Sequence, residues 1–229
     1  MNNTVRKINM GREDLSDYLL HFTKHAEGFD TLLKILSEQK LKAVKHDFIC
    51  FTETPIPMLD GTFDILCKYK DPMFAPYGIG VNKKELYNLG ARPVFYGSSE
   101  DGECLAKTHL NWIFEEYRPD DNDFRDYSWL REWRLPQKEL DLSSLSEFIV
   151  LVKTDEDAYI LFNLEPDDIM IDGDVSDGEY HPEYHTVHNR KYKGLSLESI
   201  RASKMDKGDV EYALFCQDET DVMTNFLGV

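Results

Sequence analysis

Tyr127-Ser-Trp-Leu-Arg-Glu132-Trp-Arg134 decides how this chain is read. It places a glutamate between two tryptophans and two arginines. On a strand, alternate side chains share a face, so Glu132 and Arg134 point one way and Arg131 and Trp133 the other. A guanidinium beside a carboxylate holds it ionised and oriented, and an aromatic wall excludes water. That combination suits a carboxylate that orients or stabilises a polar reactant. An E-x-R pair on a sheet face serves equally as a structural ion pair.

Outward from this stretch, the chain reads as many short strands with a few helices. Ser16–Thr23 is a short apolar and aromatic strand with a polar tip. Asp30 or Thr31 caps a helix with Leu32, Leu33, Ile35, Leu36 and Leu41 on one face. Phe48–Thr52 is a buried strand, broken by Thr54-Pro-Ile-Pro-Met58, and residues 60–70 form a helix or a loop. Pro76–Val81 is a strand, Lys83–Asn88 a short helix closed by Gly90, and Arg92–Tyr96 a strand. Glu103–Tyr117 reads as helical. Glu147–Lys153 and Ala158–Leu164 are apolar runs of strand length, joined by a turn at Thr154-Asp-Glu-Asp157, with Ile169–Ile171 after them. Without β-α alternation this order predicts an α+β class with a mostly antiparallel, split sheet. No long linker interrupts it, so the expectation is a single domain, 1–229, with an acidic C-terminal part from about 173.

Composition narrows the function. The 229 residues include 41% apolar and 12% aromatic side chains, enough for a sizeable core. No run of 18 apolar residues exists, so no membrane span is expected. The N-terminal residues lack an apolar signal core, which predicts a cytoplasmic protein. Cys50, Cys67, Cys104 and Cys216 are widely spaced, as reduced thiols are. A net charge of −17 disfavours nucleic acid as a general ligand. Eleven acids and no Lys or Arg lie between Asp155 and Glu183. That acidic 155–183 region is a solvated face or the place where a protein partner with a basic surface is steered.

His21-Phe-Thr23 at a strand end, with Leu32-Leu33-x-Ile35-Leu36 after it, resembles the opening of the ADP-ribosyltransferase superfamily. The succession His21-Phe-Thr, Phe51-Thr-Glu-Thr-Pro, Tyr77-Gly-Ile-x-Val-x-Lys, Ala91-Arg-Pro-Val-x-Tyr and Arg131-Glu-Trp-Arg is similar to the abortive-infection AbiGi-type proteins of bacteria and phages. The likeness covers residues 19–172. It implies an ADP-ribosyltransferase-like fold with NAD as the substrate, in phage defence or a toxin–antitoxin pair. His21 and Thr23 would then hold the NAD ribose, with Thr52 and either Tyr77 or Tyr96 completing the cleft. Glu132 would be the catalytic carboxylate, and Arg92 or Arg134 would bind the pyrophosphate. Position 130 is Leu, so the acceptor motif of arginine- or cysteine-modifying transferases is absent. The resemblance equally implies a second class, an acidic binding protein on the same fold that acts as an antitoxin, immunity factor or phage decoy.

Chemistry supports the first class in principle. Cleaving the NAD glycosidic bond develops oxocarbenium character at the ribose, which a fixed carboxylate stabilises. A neutral imidazole and a hydroxyl can bond a ribose, an aromatic ring can stack on nicotinamide, and an arginine can grip a pyrophosphate. Each residue also has a plainer reading. His21 can bond backbone, Arg92 can pair with an acid, Tyr77 and Tyr96 can be core or rim, and Thr52-Glu53 can be a strand-end turn. His181-Pro-Glu-Tyr-His185-Thr-Val-His188 would align three imidazoles if helical, but Thr186 and Val187 favour a surface loop.

Overall fold

The computed structural model describes residues 4, 7–8, 11–24, 27–69, 72–120, 123–162, 168–176, 179–187, 192–217 and 222–224. Within the 168–187 and 222–224 strands it describes the backbone, with the exposure of residues Gly173 and His181. The chain is a mixed α+β protein with mostly antiparallel sheet. It forms two compact units, Met1–Leu151 and Val152–Val229. The division falls inside the apolar run Phe148–Val152, which carries no Gly, Pro or Ser to mark a boundary in the sequence. Among the described residues no helix is long and apolar enough to cross a membrane.

In chain order, the first unit contains β1 (Tyr18–Phe22), α1 (Gly28–Glu38), β2 (Lys40–Lys42), β3 (Ile49–Thr52) and α2 (Ile56–Leu66). Then come β4 (Gly78–Asn82), α3 (Lys83–Asn88), β5 (Arg92–Pro93), β6 (Phe95–Gly97), α4 (Ser99–Leu105) and β7 (Phe114–Glu116). It ends with β8 (Glu132–Leu135), β9 (Glu139–Asp141) and β10 (Phe148–Val152). The main sheet runs β10-β4-β1-β3-β8-β5 with every pairing antiparallel. β2 pairs with β9, and β6 pairs in parallel with β7, each as a separate two-stranded sheet.

The centre of the main sheet is covered on both faces. Leu19 and Leu20, adjacent on β1, are both buried, as are Ile79, Val81, Ile149 and Val150. Strands in that position read as continuous apolar runs instead of alternating ones. Gly80 permits the close fit: a Cβ there would lie 2.6 Å from Ile149 Cγ1 and 2.9 Å from Leu20 Cδ2. Phe63 of α2 meets Phe22 edge-on at 5.0 Å, seating that helix on the face of β1 that carries Phe22.

Several local expectations are corrected. The helix after β1 starts at Gly28 without a side-chain cap from Asp30 or Thr31, and Leu33 is exposed while Leu41 belongs to β2. Of the segment expected to be helical over 103–117, only 103–105 is α-helical, as the end of α4, which a Ser98–Asp101 capping box starts. A 3-10 turn at Asn111–Ile113 and β7 follow. Arg131 is not on the strand. It has φ 44° and closes a 3-10 turn over Ser128–Leu130, so β8 begins at Glu132.

The second unit contains α5 (Asp155–Phe162), β11 (Asp168–Ser176), β12 (Glu179–Val187), β13 (Gly194–Ser196), α6 (Leu197–Ala202), α7 (Lys207–Cys216) and β14 (Val222–Thr224). The run expected to be a strand at 158–164 is helix α5, and Thr154–Asp157 is its first turn instead of a hairpin. β11 and β12 form an antiparallel ladder from Asp168↔Val187 to Ser176↔Glu179, and β14 joins the far side of β12. His181 and His185 therefore lie on a strand, in neither the helix nor the loop of the sequence reading, and His188 lies outside the described residues.

Candidate functional site

Arg134 is the electrostatic centre of the first unit. Only 6% of it is exposed, yet all five of its N–H groups have acceptors. Nε donates to Glu132 Oε1 at 2.8 Å. Nη1 donates to the carbonyls of Trp112 and Phe114 at 2.9 and 3.0 Å. Nη2 donates to Glu115 Oε2 at 2.6 Å and to Glu132 Oε2 at 3.4 Å. The guanidinium also lies 4.7 Å from the centre of the Phe48 ring. Burial opposes its charge, but the bonds to Glu132 and Glu115 outweigh it and raise its pKa. A guanidinium presents five donors and no acceptor, so this one has no free N–H for a pyrophosphate.

Register fixes what surrounds Glu132. Leu20 is paired with Thr52, Thr52 with Glu132, and Cys50 with Arg134. Directly paired residues share a face, so Leu20, Cys50, Thr52, Glu132 and Arg134 lie on one side of the sheet. His21, the next residue along β1, lies on the other side, where its ring meets Phe51 edge-on at 5.8 Å. His21 Nδ1 is 2.8 Å from the Cys50 carbonyl. Burial lowers its pKa more than that hydrogen bond raises it, which keeps the imidazole neutral. The carboxylate and the imidazole expected to share one cleft are thus separated by the sheet.

The remaining expected residues are engaged by the fold. Thr52 is buried and donates to the Leu130 carbonyl while accepting from Thr54 N at 3.1 Å. Thr23 is buried and donates to the Tyr77 carbonyl at 3.0 Å, and the Tyr77 ring packs on Phe29 at 5.4 Å. Arg92 donates to the carbonyls of Tyr87 and Ala91 at 3.0 and 2.7 Å and lies 4.2 Å from the centre of the Tyr87 ring. Tyr96 comes close to Glu132: burial first and that carboxylate second raise its phenol pKa, and its hydroxyl donates to the Tyr127 carbonyl at 3.0 Å.

Two further neighbours lie outside the residues that the sequence singles out. Cys50 keeps part of its surface open, but burial around its sulfur and the Glu132 carboxylate push the thiol up to about 12. Period-two counting back from Thr52 is the signal that finds it. Glu115 is hidden in the sequence because its segment carries a helical pattern. On the opposite face, Trp133 Nε1 donates to Glu53 Oε2 at 2.8 Å, and Lys83 bonds Glu53 Oε1 at 2.7 Å and the Ser16 carbonyl at 2.9 Å. Arg131 reaches Asp14 at 2.6 Å, and the Arg12 guanidinium, with Arg131 beside it, holds that carboxyl well below the usual carboxylate range.

The arrangement is a buried arginine with two carboxylates, a net single negative charge, flanked by a protonated thiol and a protonated phenol. It can fix strands and accept a hydrogen bond. Among the described residues no group of three or more His, Cys, Asp or Glu is placed to hold a metal ion. No family model, curated protein or solved structure matches the chain.

Proposed function

We propose that this chain is a non-catalytic, acidic binding protein of the antitoxin or immunity-factor kind, whose partner is a protein with a basic surface. The observation that carries the reading is the Glu132–Arg134 pair. The carboxylate at the transferase-like position is clasped by an arginine with no spare donor, on the face opposite His21. The charge of −17 supports association with a polycation and disfavours nucleic acid. Placement among phage-defence or toxin–antitoxin proteins rests on the sequence resemblance to AbiGi-type proteins alone.

The test is a pair of measurements with NAD. Ligand binding only to the native state at 100-fold above its dissociation constant adds about 2.7 kcal/mol of stability. Millimolar NAD should leave the melting temperature unchanged, and no nicotinamide should be released. A stabilising shift with release that disappears in Glu132→Gln would overturn the proposal in favour of the other reading, an NAD-dependent ADP-ribosyltransferase. One observation favours that second reading: Glu132 is oriented and desolvated beside Tyr96.

A further inference from the structure

The strongest charge asymmetry lies in the second unit. Residues 152–229 carry 18 acidic against 7 basic side chains, and the span from 154 to 189 contains no Lys or Arg. Two helices of this unit leave large apolar side chains in solvent beside acids. On α5, Leu161 and Phe162 are buried, while Glu156, Tyr159 and Ile160 are exposed at spacings of three and four, which is one helix face. Tyr159 is 70% exposed and Ile160 49%. On α7, Val210 and Leu214 are buried, while Asp209, Tyr212 and Phe215 are exposed at successive spacings of three. Tyr212 is 69% exposed and Phe215 58%. Each helix thus has a core face and an acid–aromatic face.

We infer that the outer faces of α5 and α7 are docking surfaces for a basic polypeptide, which deepens the binding-protein reading above and rests on it. Charge complementarity selects the occupant. A second copy also carries −17, and a membrane surface or a nucleic acid is anionic, so each is repelled. A segment carrying arginines is attracted, most strongly at α5, whose first turn carries Asp155, Glu156 and Asp157. Its guanidinium can pair with Glu156 or Asp209 and lie over the ring of Tyr159 or Tyr212. Its apolar side chains cover Ile160 and Phe215. Exposed tyrosine and phenylalanine beside charge are the side chains that anchor protein interfaces.

The experiment uses the full chain and a labelled peptide of alternating arginine and leucine, with an acidic peptide of the same length as control. Two variants change no charge: Tyr159→Ser with Ile160→Ser, and Tyr212→Ser with Phe215→Ser. The arginine peptide should bind, weaken as salt rises, and bind at least tenfold more weakly to either variant, while melting temperatures stay near wild type. Binding unchanged within twofold in both variants would overturn the proposal, because charge alone would then suffice. No binding by wild type would overturn it as well. Concentration-dependent self-association lost in the variants would assign the faces to a second copy and also overturn it. Nicotinamide release by wild type would refute the non-catalytic reading without changing peptide binding, so the two failures are distinguishable.

Discussion

Arg134 Nε lies 2.8 Å from Glu132 Oε1, and the guanidinium that makes this bond is also tied to Glu115 and to the carbonyls of Trp112 and Phe114. One side chain therefore joins β8 to the segment 112–115, a region about 20 residues earlier in the chain. Removing one member of a buried ionic cluster leaves the others desolvated and unpaired, which costs about 3–5 kcal/mol. Arg134→Met should lose that much stability in urea or thermal unfolding. Arg134→Lys should recover only part, because an ammonium cannot reproduce the planar fork. An Arg134→Met protein as stable as wild type would show the cluster to be dispensable.

A second prediction concerns His21 and pH. Burial lowers its pKa below the unfolded value of 6.5. Between those two values the unfolded chain binds more protons than the folded one, so stability rises with pH. The contribution is fully present above about pH 6.5 and is lost as pH falls through that value toward the folded pKa. The His21 imidazole should titrate below pH 6.5 by NMR, and His21→Gln should flatten the loss of stability on acidification. A His21 midpoint at or above 6.5 with an unchanged pH profile would contradict the burial argument.

These two residues also show how far the sequence can be read. The pairing of Glu132 with Arg134 follows from strand alternation, because a two-residue spacing fixes a shared face. The opposition of His21 and Glu132 does not follow, since it depends on the register Leu20↔Thr52↔Glu132 between three distant strands. A one-residue slip would reverse it. Elsewhere the signals are present but outweighed. Thr154 and Asp157 cap each other at the start of α5, as a Thr-x-x-Asp sequence with three acids in the first turn can announce. The apolar run after them suggests a strand because short apolar runs do not distinguish helix from strand. Asp177-Gly178 is, as sequence alone, a turn signal that the histidine spacing obscures.

Two glycines should respond in opposite senses to alanine. Gly61 lies inside α2, and nothing stands within 4 Å of the place a Cβ would take. Alanine there removes the helix cost of glycine, so Gly61→Ala should gain about 0.5–1 kcal/mol. At Gly78 a Cβ would sit 2.6 Å from the His21 carbonyl oxygen and 2.8 Å from Phe22 Cδ1. The backbone of β1 must move to admit it, so Gly78→Ala should lose about 1–3 kcal/mol. Denaturant midpoints of the two variants on the same side of wild type would refute this packing account.

The last prediction uses Cys50 as a reporter of the Glu132 charge. Alkylating reagents attack the thiolate, so rate follows the ionised fraction. With the thiol pushed up to about 12, first by burial and then by Glu132, the thiolate fraction at pH 8 is on the order of one in ten thousand. Cys50 is nevertheless exposed as a residue, like Cys67 and Cys104, which serve as internal controls in the same chain. Iodoacetamide at pH 8 should therefore label Cys67 and Cys104 well before Cys50, as read by peptide mass mapping. Glu132→Gln keeps the shape of the side chain and removes the second cause while leaving the first. Labelling of Cys50 should then accelerate several-fold with the controls unchanged. Acceleration at all three thiols would instead report general loosening of the fold. An unchanged Cys50 rate in a folded Glu132→Gln protein would mean that the carboxylate does not act on this sulfur, and that the face shared by Cys50, Glu132 and Arg134 is not the electrostatic unit described.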